Sequence, residues 1–285
     1  MARKATLLVL DFDQTLTSSD TLSMVAAVAK RKYPENRDFA WFTEKYMEDY
    51  QRHQTQWQPR IDSEKITYEF LNEYLESLRS VETASLNRIS EYGILAGVSR
   101  DELYDGGRAV EFQPGAATAI NRLMQAPNMH ACVVSVNWSA DFIRGALGAN
   151  GVLNSQSISI YCNNPEFDKR TGLSKADISP RLVVASDKTA TISNYKQEIA
   201  HKTGLDPWLI YAGDSLTDLP ALLLADAGLL VGQSNSVTKW CDMLGVEFGR
   251  PRGAEGGKTL YRLQSWESAL EILNLVVQQN RSEQL

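Results

Sequence analysis

Three short apolar runs in this chain stop abruptly at polar clusters. Ala5–Leu10 runs into Asp11-Phe-Asp-Gln-Thr15, His130–Ser135 into Val136–Ser139, and Trp208–Ala212 into Gly213-Asp-Ser-Leu-Thr-Asp218. A continuous run without apolar–polar alternation is what a strand covered on both faces presents, because neither face meets water. Further strands are expected at Ser157–Tyr161 and Gly228–Val231, and helices at Ala116–Gln125, Ala140–Leu147, Lys188–His201 and Leu219–Ala225. Strand and helix in alternation, joined by short loops, predict an α/β fold with a doubly wound parallel sheet. Val246–Phe248 is expected as a last strand, Gly249–Gly257 as a loop and Trp266–Gln279 as an amphipathic closing helix.

The alternation is interrupted once. From Ser19 to Gly107 the strand signal gives way to helical stretches at Thr21–Lys32, Arg37–Gln56, Ser63–Arg79 and Glu82–Leu95. Trp41, Phe42, Tyr46 and Tyr50 form an aromatic stripe at helical spacing. The expected organisation is therefore an α/β core from residues 1–18 and 108–285, with 19–107 inserted as a helical bundle.

Composition narrows the function classes. The balance of 43% hydrophobic and 22% charged residues is that of a globular protein. A net charge of -6 speaks against a nucleic-acid partner, which needs concentrated Lys and Arg. No apolar run approaches the roughly 18 residues that span a bilayer, and Ala5–Leu10 is too short for a signal peptide. Cys132, Cys162 and Cys241 are odd in number and widely spaced, so each is expected as a buried thiol in a reducing, cytoplasmic setting. His53, His130 and His201 share no metal-ligand spacing.

Ligands of doubly wound sheets sit beyond the carboxyl ends of the strands, which is where the polar clusters fall. Asp11 and Asp13 stand two apart at a strand end, so their side chains leave on one face. Carboxylates held together repel, and need a cation or a shared proton. Asp214 and Asp218 form a second acidic cluster, and the two together make the oxygen-lined site that Mg2+ favours. Ser135 and the N–H groups of Val136, Asn137, Trp138 and Ser139 suit a phosphate oxygen. Lys188 stands near the first turn of its helix, where a cation opposes the macrodipole. Lys175 is a rival for the same role.

In that order these motifs resemble those of the haloacid dehalogenase superfamily, and the insert is similar to the C1 cap of its phosphoserine-phosphatase-like branch. The resemblance covers about residues 6–232. It implies Asp11 as nucleophile, Asp13 as general acid and then base, Ser135 holding a phosphate oxygen and Lys188 neutralising the phosphoryl group. It also implies Mg2+ on Asp11, Asp214 and the main-chain carbonyl of Asp13, with Asp218 supporting the metal and Thr15 fixing the first loop beside the phosphate. The activity implied is hydrolysis of a small phosphate monoester through an aspartyl-phosphate.

The cap would choose the substrate. Trp41, Tyr46, Tyr50, Trp57, Tyr68, Phe70 and Tyr74 are expected mainly to build its core, with a subset free to stack on a ring. Asp20 and Asn137-Trp138 lie where a leaving group would rest. Ser135-Val-Asn-Trp-Ser139 is similar to a stretch in plant and fungal phosphatase domains of thiamin metabolism. That makes thiamin monophosphate one expected substrate, beside a phosphoamino acid, a phosphocholine-like ester or a nucleoside monophosphate. A phosphotransferase and a non-catalytic phosphate-binding relative are the other classes the motifs allow.

Overall fold

The computed structural model describes residues 5–179, 182–249, 251–252 and 258–270. The chain opens with β1 (Thr6–Leu10) and leaves the sheet for five helices, α1 (Leu22–Lys32), α2 (Phe39–Ser63), α3 (Tyr68–Ser77), α4 (Arg79–Glu91) and α5 (Arg100–Gly107). It returns through α6 (Ala116–Met124) to β2 (Met129–Val134), then α7 (Ala140–Ala149) and β3 (Ser159–Tyr161). A hairpin of β4 (Asn164–Phe167) and β5 (Ser174–Ser179) leads to α8 (Ala185–Thr203) and β6 (Trp208–Gly213). The last elements are α9 (Leu219–Leu224), β7 (Ala227–Val231), α10 (Asn235–Leu244), β8 (Pro251–Arg252) and β9 (Lys258–Leu263).

Six strands run parallel in the order β3-β2-β1-β6-β7-β9, and β8 adds an antiparallel edge. Alternate residues of one strand feed opposite cores. Leu8 and Leu10 of β1 join Val133, Ile210 and Leu229 on one face, while Leu7 and Val9 join Val134, Leu209 and Leu230 on the other. Both faces are covered, which is why these strands read as unbroken apolar runs. The three strands that end in polar clusters, β2, β1 and β6, are neighbours at the centre of the sheet.

The insert is helical but divides differently from expectation. α2 runs on to Ser63, carrying Trp57 and Ile61 against the second core. The expected Ser63–Arg79 helix is broken at residues 64–67, and α3 restarts behind Thr67, whose hydroxyl accepts the Phe70 N–H at 3.2 Å. α4 begins at Arg79 and ends at Glu91, short of the expected Leu95. α5 is an additional helix, opened by a Ser99–Glu102 capping box. It crosses α7 at close range: a Cβ on Gly107 would fall 1.9 Å from the Phe142 carbonyl, and one on Gly145 equally close to that of Tyr104. Only glycine permits that approach.

Elsewhere the hairpin β4–β5 and helix α10 are additions to the expected pattern. Val246–Phe248 is not a strand, and the last parallel strand is β9, whose sequence Lys-Thr-Leu-Tyr-Arg-Leu carries three polar side chains that mask its burial. Within Gly249–Gly257, Pro251–Arg252 pairs with β9, whereas residues 250 and 253–257 lie outside the described residues. Of the expected Trp266–Gln279 helix, residues 266–270 are helical and the rest lies outside the described residues.

Beside the α5–α7 crossing, further contacts hold the insert on the sheet domain. Tyr74 of α3 stacks on Trp240 of α10, with centroids 5.1 Å apart, and Phe70 and Trp57 extend the cluster. At the start of α4, Arg79 forks onto the Asp187 carboxylate at 3.0 and 3.1 Å.

Candidate active site

β1 delivers Asp11 directly from its last hydrogen bond, Asp11 N–H to the Ala212 carbonyl of β6 at 2.9 Å. The chain then turns sharply, with Gln14 at φ 56°, and is pinned by the Trp266 indole N–H, which donates to the Thr15 carbonyl at 2.9 Å. Asp11 is only 5% exposed. Its Oδ1 accepts from Lys188 Nζ at 3.0 Å, while Oδ2 has one long contact, 3.4 Å from the Thr15 hydroxyl.

Lys188 reaches this point from the first turn of α8, which begins at Ala185 rather than at Lys188. Asp187 is thus the third helical residue, and its carboxylate accepts the N–H groups of Val183 and Val184 at 2.9 and 3.0 Å. The macrodipole is met by Asp187, which leaves Lys188 to point inward. Lys188 is 2% exposed and bridges Asp11 and Asp218, the latter at 2.7 Å. Burial alone would lower its ammonium, but the two carboxylates more than reverse this and raise it. Lys175 lies on the hairpin in a half-exposed pair with Glu166, so Lys188 and not Lys175 is the lysine that meets Asp11.

Asp218 takes five donors. Lys188 Nζ and the Tyr211 hydroxyl (2.6 Å) share Oδ1, while the Asp214 N–H, the Ser215 N–H and the Ser215 hydroxyl share Oδ2. A carboxylate has about four lone-pair positions, so Asp218 has little room for anything further. Burial would raise it, yet Lys188 and these donors hold it below the usual range. Gly213 makes the turn possible, because a Cβ there would lie 2.6 Å from the Asp218 side chain.

Asp214 and Asp11 are the carboxylates with capacity left. The Thr15 hydroxyl donates to Asp214 Oδ1 at 3.0 Å, tying the two acidic loops together from a fully buried position instead of facing a phosphate. Oxygens of Asp11, Asp214 and Asp218 lie within 4.8 Å of one another. Burial, with Asp218 adding to it, pushes Asp214 up to about 7, and burial likewise raises Asp11 against the pull of Lys188. Such crowding of carboxylates around one ammonium leaves negative charge uncompensated, and their hard oxygen donors fit a divalent cation that would balance it.

Asp13 is aimed by a separate network. Its Oδ1 accepts the Thr21 N–H at 2.8 Å and the Thr21 hydroxyl at 2.6 Å, and its Oδ2 accepts from Asn137 Nδ2 at 3.0 Å. Asn137 was expected at the phosphate, but its side chain holds Asp13 and Thr21, and its Oδ1 accepts the Trp138 and Ser139 N–H groups. The Asn137 N–H goes to Ser135 Oγ at 3.1 Å. Of the donors expected at a phosphate, the Asn137, Trp138 and Ser139 N–H groups are therefore taken, while the Ser135 O–H and the Val136 N–H donate to no group among the described residues, a narrower anion cradle than the sequence suggested.

The description "haloacid dehalogenase-like hydrolase" fits residues 8–223, a span that takes in all three loops and Lys188. The chain belongs to that family. Among relatives, the bifunctional TH2 protein, mitochondrial, of Arabidopsis thaliana is 26% identical over 260 residues, 84% of this chain. The chain spans only 41% of that plant protein's length. Cold tolerance protein 1 of Saccharomyces cerevisiae is 25% identical, with 94% of this chain and 98% of the yeast protein aligned. A substrate-bound phosphoserine phosphatase complex shares the fold at TM-score 0.53 and 14% identity, covering 95% of this chain and 99% of that one. A probable phosphoserine phosphatase from Vibrio cholerae does so at TM-score 0.55 and 16% identity, covering 97% and 67%.

Thr21, Tyr211, Ser215 and Trp266 are site partners in this hydrolase that sequence reasoning passed over. Signals existed for two of them. Tyr211 is a phenol inside an otherwise apolar strand, and Thr21 stands where a helix cap belongs but caps nothing, its hydroxyl going to Asp13 instead.

Proposed function

We propose that this hydrolase is a Mg2+-dependent phosphatase of small phosphate monoesters, with Asp11 as its nucleophile. The observation that carries the reading is the buried Lys188 ammonium 3.0 Å from Asp11 Oδ1, lining one cavity with Val136, whose N–H is unused among the described residues. An anionic carboxylate approaches an anionic phosphate only where positive charge is fixed in place, and Lys188 is fixed by two partners. The Ser135 O–H and Val136 N–H would hold phosphoryl oxygens.

In the first step an Asp11 oxygen attacks phosphorus, the bond to the ester oxygen breaks, and Asp13 gives that oxygen its proton. In the second, Asp13 takes a proton from water, which attacks phosphorus, releases phosphate and frees Asp11. Splitting the hydrolysis in this way replaces one difficult displacement by two easier ones. Thr21 and Asn137 hold Asp13 at one angle for both duties. Asp11 and Asp214 would hold Mg2+, with Asp13 through its main-chain carbonyl and Asp218 behind them. The ion would supply positive charge for the transferring phosphoryl group.

Residues 19–107 would serve as the cap over a core of 1–18 and 108–285. A cavity of about 360 Å3 opens beside Lys188, within the size range of small-ligand sites. Thiamin monophosphate is the substrate proposed, resting on the Ser135–Ser139 resemblance, and the match to the bifunctional plant protein is compatible with it. We infer a free small molecule as partner, from the net charge of -6 and from the lack, among the described residues, of a helix long and apolar enough to cross a membrane. The three cysteines are buried thiols without a disulfide, as a reducing cytoplasmic setting would leave them.

The test is phosphate release from thiamin monophosphate and from p-nitrophenyl phosphate, with Mg2+ and with chelator. Turnover lost in chelator and in Asp11→Asn is the expected result. Turnover indifferent to both sinks the reading.

A further inference from the structure

The cavity beside Lys188 has two unlike ends. On the core side stand Lys188, already engaged by Asp11 and Asp218, and the Val136 loop. On the cap side stands Glu82 of α4, with Tyr46 of α2 donating its hydroxyl to Glu82 Oε1 at 2.9 Å. The cavity that Glu82 lines is largely apolar, with Phe39, Phe42, Leu86, Ile89 and Trp138 in its wall and Ser85 and Thr43 as neutral hydroxyls among them.

A carboxylate in such a wall is normally paired, because removing it from water destabilises its charged form. Glu82 has no cationic partner among the described residues, and its one recorded hydrogen bond comes from a neutral phenol. Burial accordingly pushes it up to about 7, with the Tyr46 bond opposing the shift. Of the described residues lining the cavity, Lys188 is the single cation, against Asp20 and Glu82. A phosphate ester with a neutral leaving group would bring more negative charge into a chamber that already has an excess.

Resting on the phosphatase reading, we propose that Glu82 selects substrates whose leaving group carries a fixed positive charge, an organic cation seated between the Glu82 carboxylate and the aromatic wall. Such a cation would meet the carboxylate directly and the ring faces through their quadrupoles. It would also return Glu82 to its ionised form. The aromatic wall fits a weakly hydrated cation such as a quaternary ammonium or a heteroaromatic ring nitrogen better than a primary amine, whose water is held tightly.

The experiment compares kcat/KM on phosphocholine with that on 3,3-dimethylbutyl phosphate, its uncharged carbon isostere, alongside thiamin monophosphate and p-nitrophenyl phosphate. The wild type is expected to favour the charged member of the isosteric pair by about 10-fold or more. Glu82→Gln is expected to bring the ratio close to one while leaving kcat/KM on the uncharged esters within about 3-fold. Ser85→Lys provides a second variant, since position 85 lies one turn along α4 in the same cavity wall and its ammonium would pair with Glu82. It is expected to lower the ratio in the same way. Equal rates on the pair in the wild type, or a preference that survives both variants, overturns the proposal. Absence of turnover on all four esters with Mg2+ present refutes the phosphatase reading itself and takes the selection with it.

Discussion

The two ends of the cavity are built on opposite principles. At the core end the charges are fixed by dense networks: Lys188 has two carboxylates, Asp218 five donors and Asp13 three, with only Asp11 and Asp214 keeping capacity for a cation. At the cap end one carboxylate stands among rings with a phenol for company. Reaction chemistry needs groups whose positions are fixed before the substrate arrives, so that no reorganisation is required as charge develops. Recognition needs a group whose best partner is the ligand. Under the proposed function, bond-breaking falls to the sheet edge and choice of substrate to the helices beside it.

Breaking the core end should produce the largest effects. Asp11→Asn keeps the shape but removes the nucleophile, and is expected to lower kcat by about 10^4-fold or more with an unchanged far-ultraviolet spectrum. Lys188→Met strands Asp11 and Asp218 without their shared cation. Removing one partner of a buried pair costs about 3–5 kcal/mol, which denaturant titration would read as a lower midpoint alongside lost turnover. Thr21→Val takes one hydroxyl from Asp13 and leaves the backbone donor, so a fall in kcat of about 10- to 100-fold at nearly constant KM is expected.

A milder change sharpens the contrast through pH. Glu82 lies near 7 in the folded chain against 4.5 for the free side chain. Between those values the folded state binds more protons than the unfolded one, so stability falls as pH rises through the window, by at most about 3 kcal/mol. Glu82→Gln should flatten that slope in denaturant melts from pH 5 to 7. An unaltered slope would mean that Glu82 already has a charged partner.

Much of the core end was legible because its chemistry is local. Asp11 and Asp13, the Gly213–Asp218 stretch and Ser135 each follow directly on an apolar run, so strand ends and site could be placed together. What binds them was less visible, since Thr15 to Asp214 and Tyr211 to Asp218 depend on how loops face each other across strands. The cap end was read least well. Of the seven aromatics singled out there, only Tyr46 lines the cavity, while Trp57, Phe70 and Tyr74 pack toward Trp240. Helical periodicity shows which residues share a face of a helix but not whether that face meets another helix or a void. Glu82, one acidic residue among many on amphipathic helices, gave no signal of its own. The hairpin β4–β5 was missed because Asn-Pro-Glu-Phe and Ser-Lys-Ala-Asp-Ile-Ser offer little apolar content.

The most direct test of the whole account is a peptide map of enzyme quenched in acid during turnover of a labelled phosphate ester, with borohydride reduction to mark any acyl phosphate. The account predicts label on the peptide that carries Asp11 before reduction and, once borohydride has expelled the labelled phosphate, homoserine in place of Asp11, with neither seen in Asp11→Asn. Steady turnover with label on another residue, or with none on Asp11 at any quench time, would contradict it.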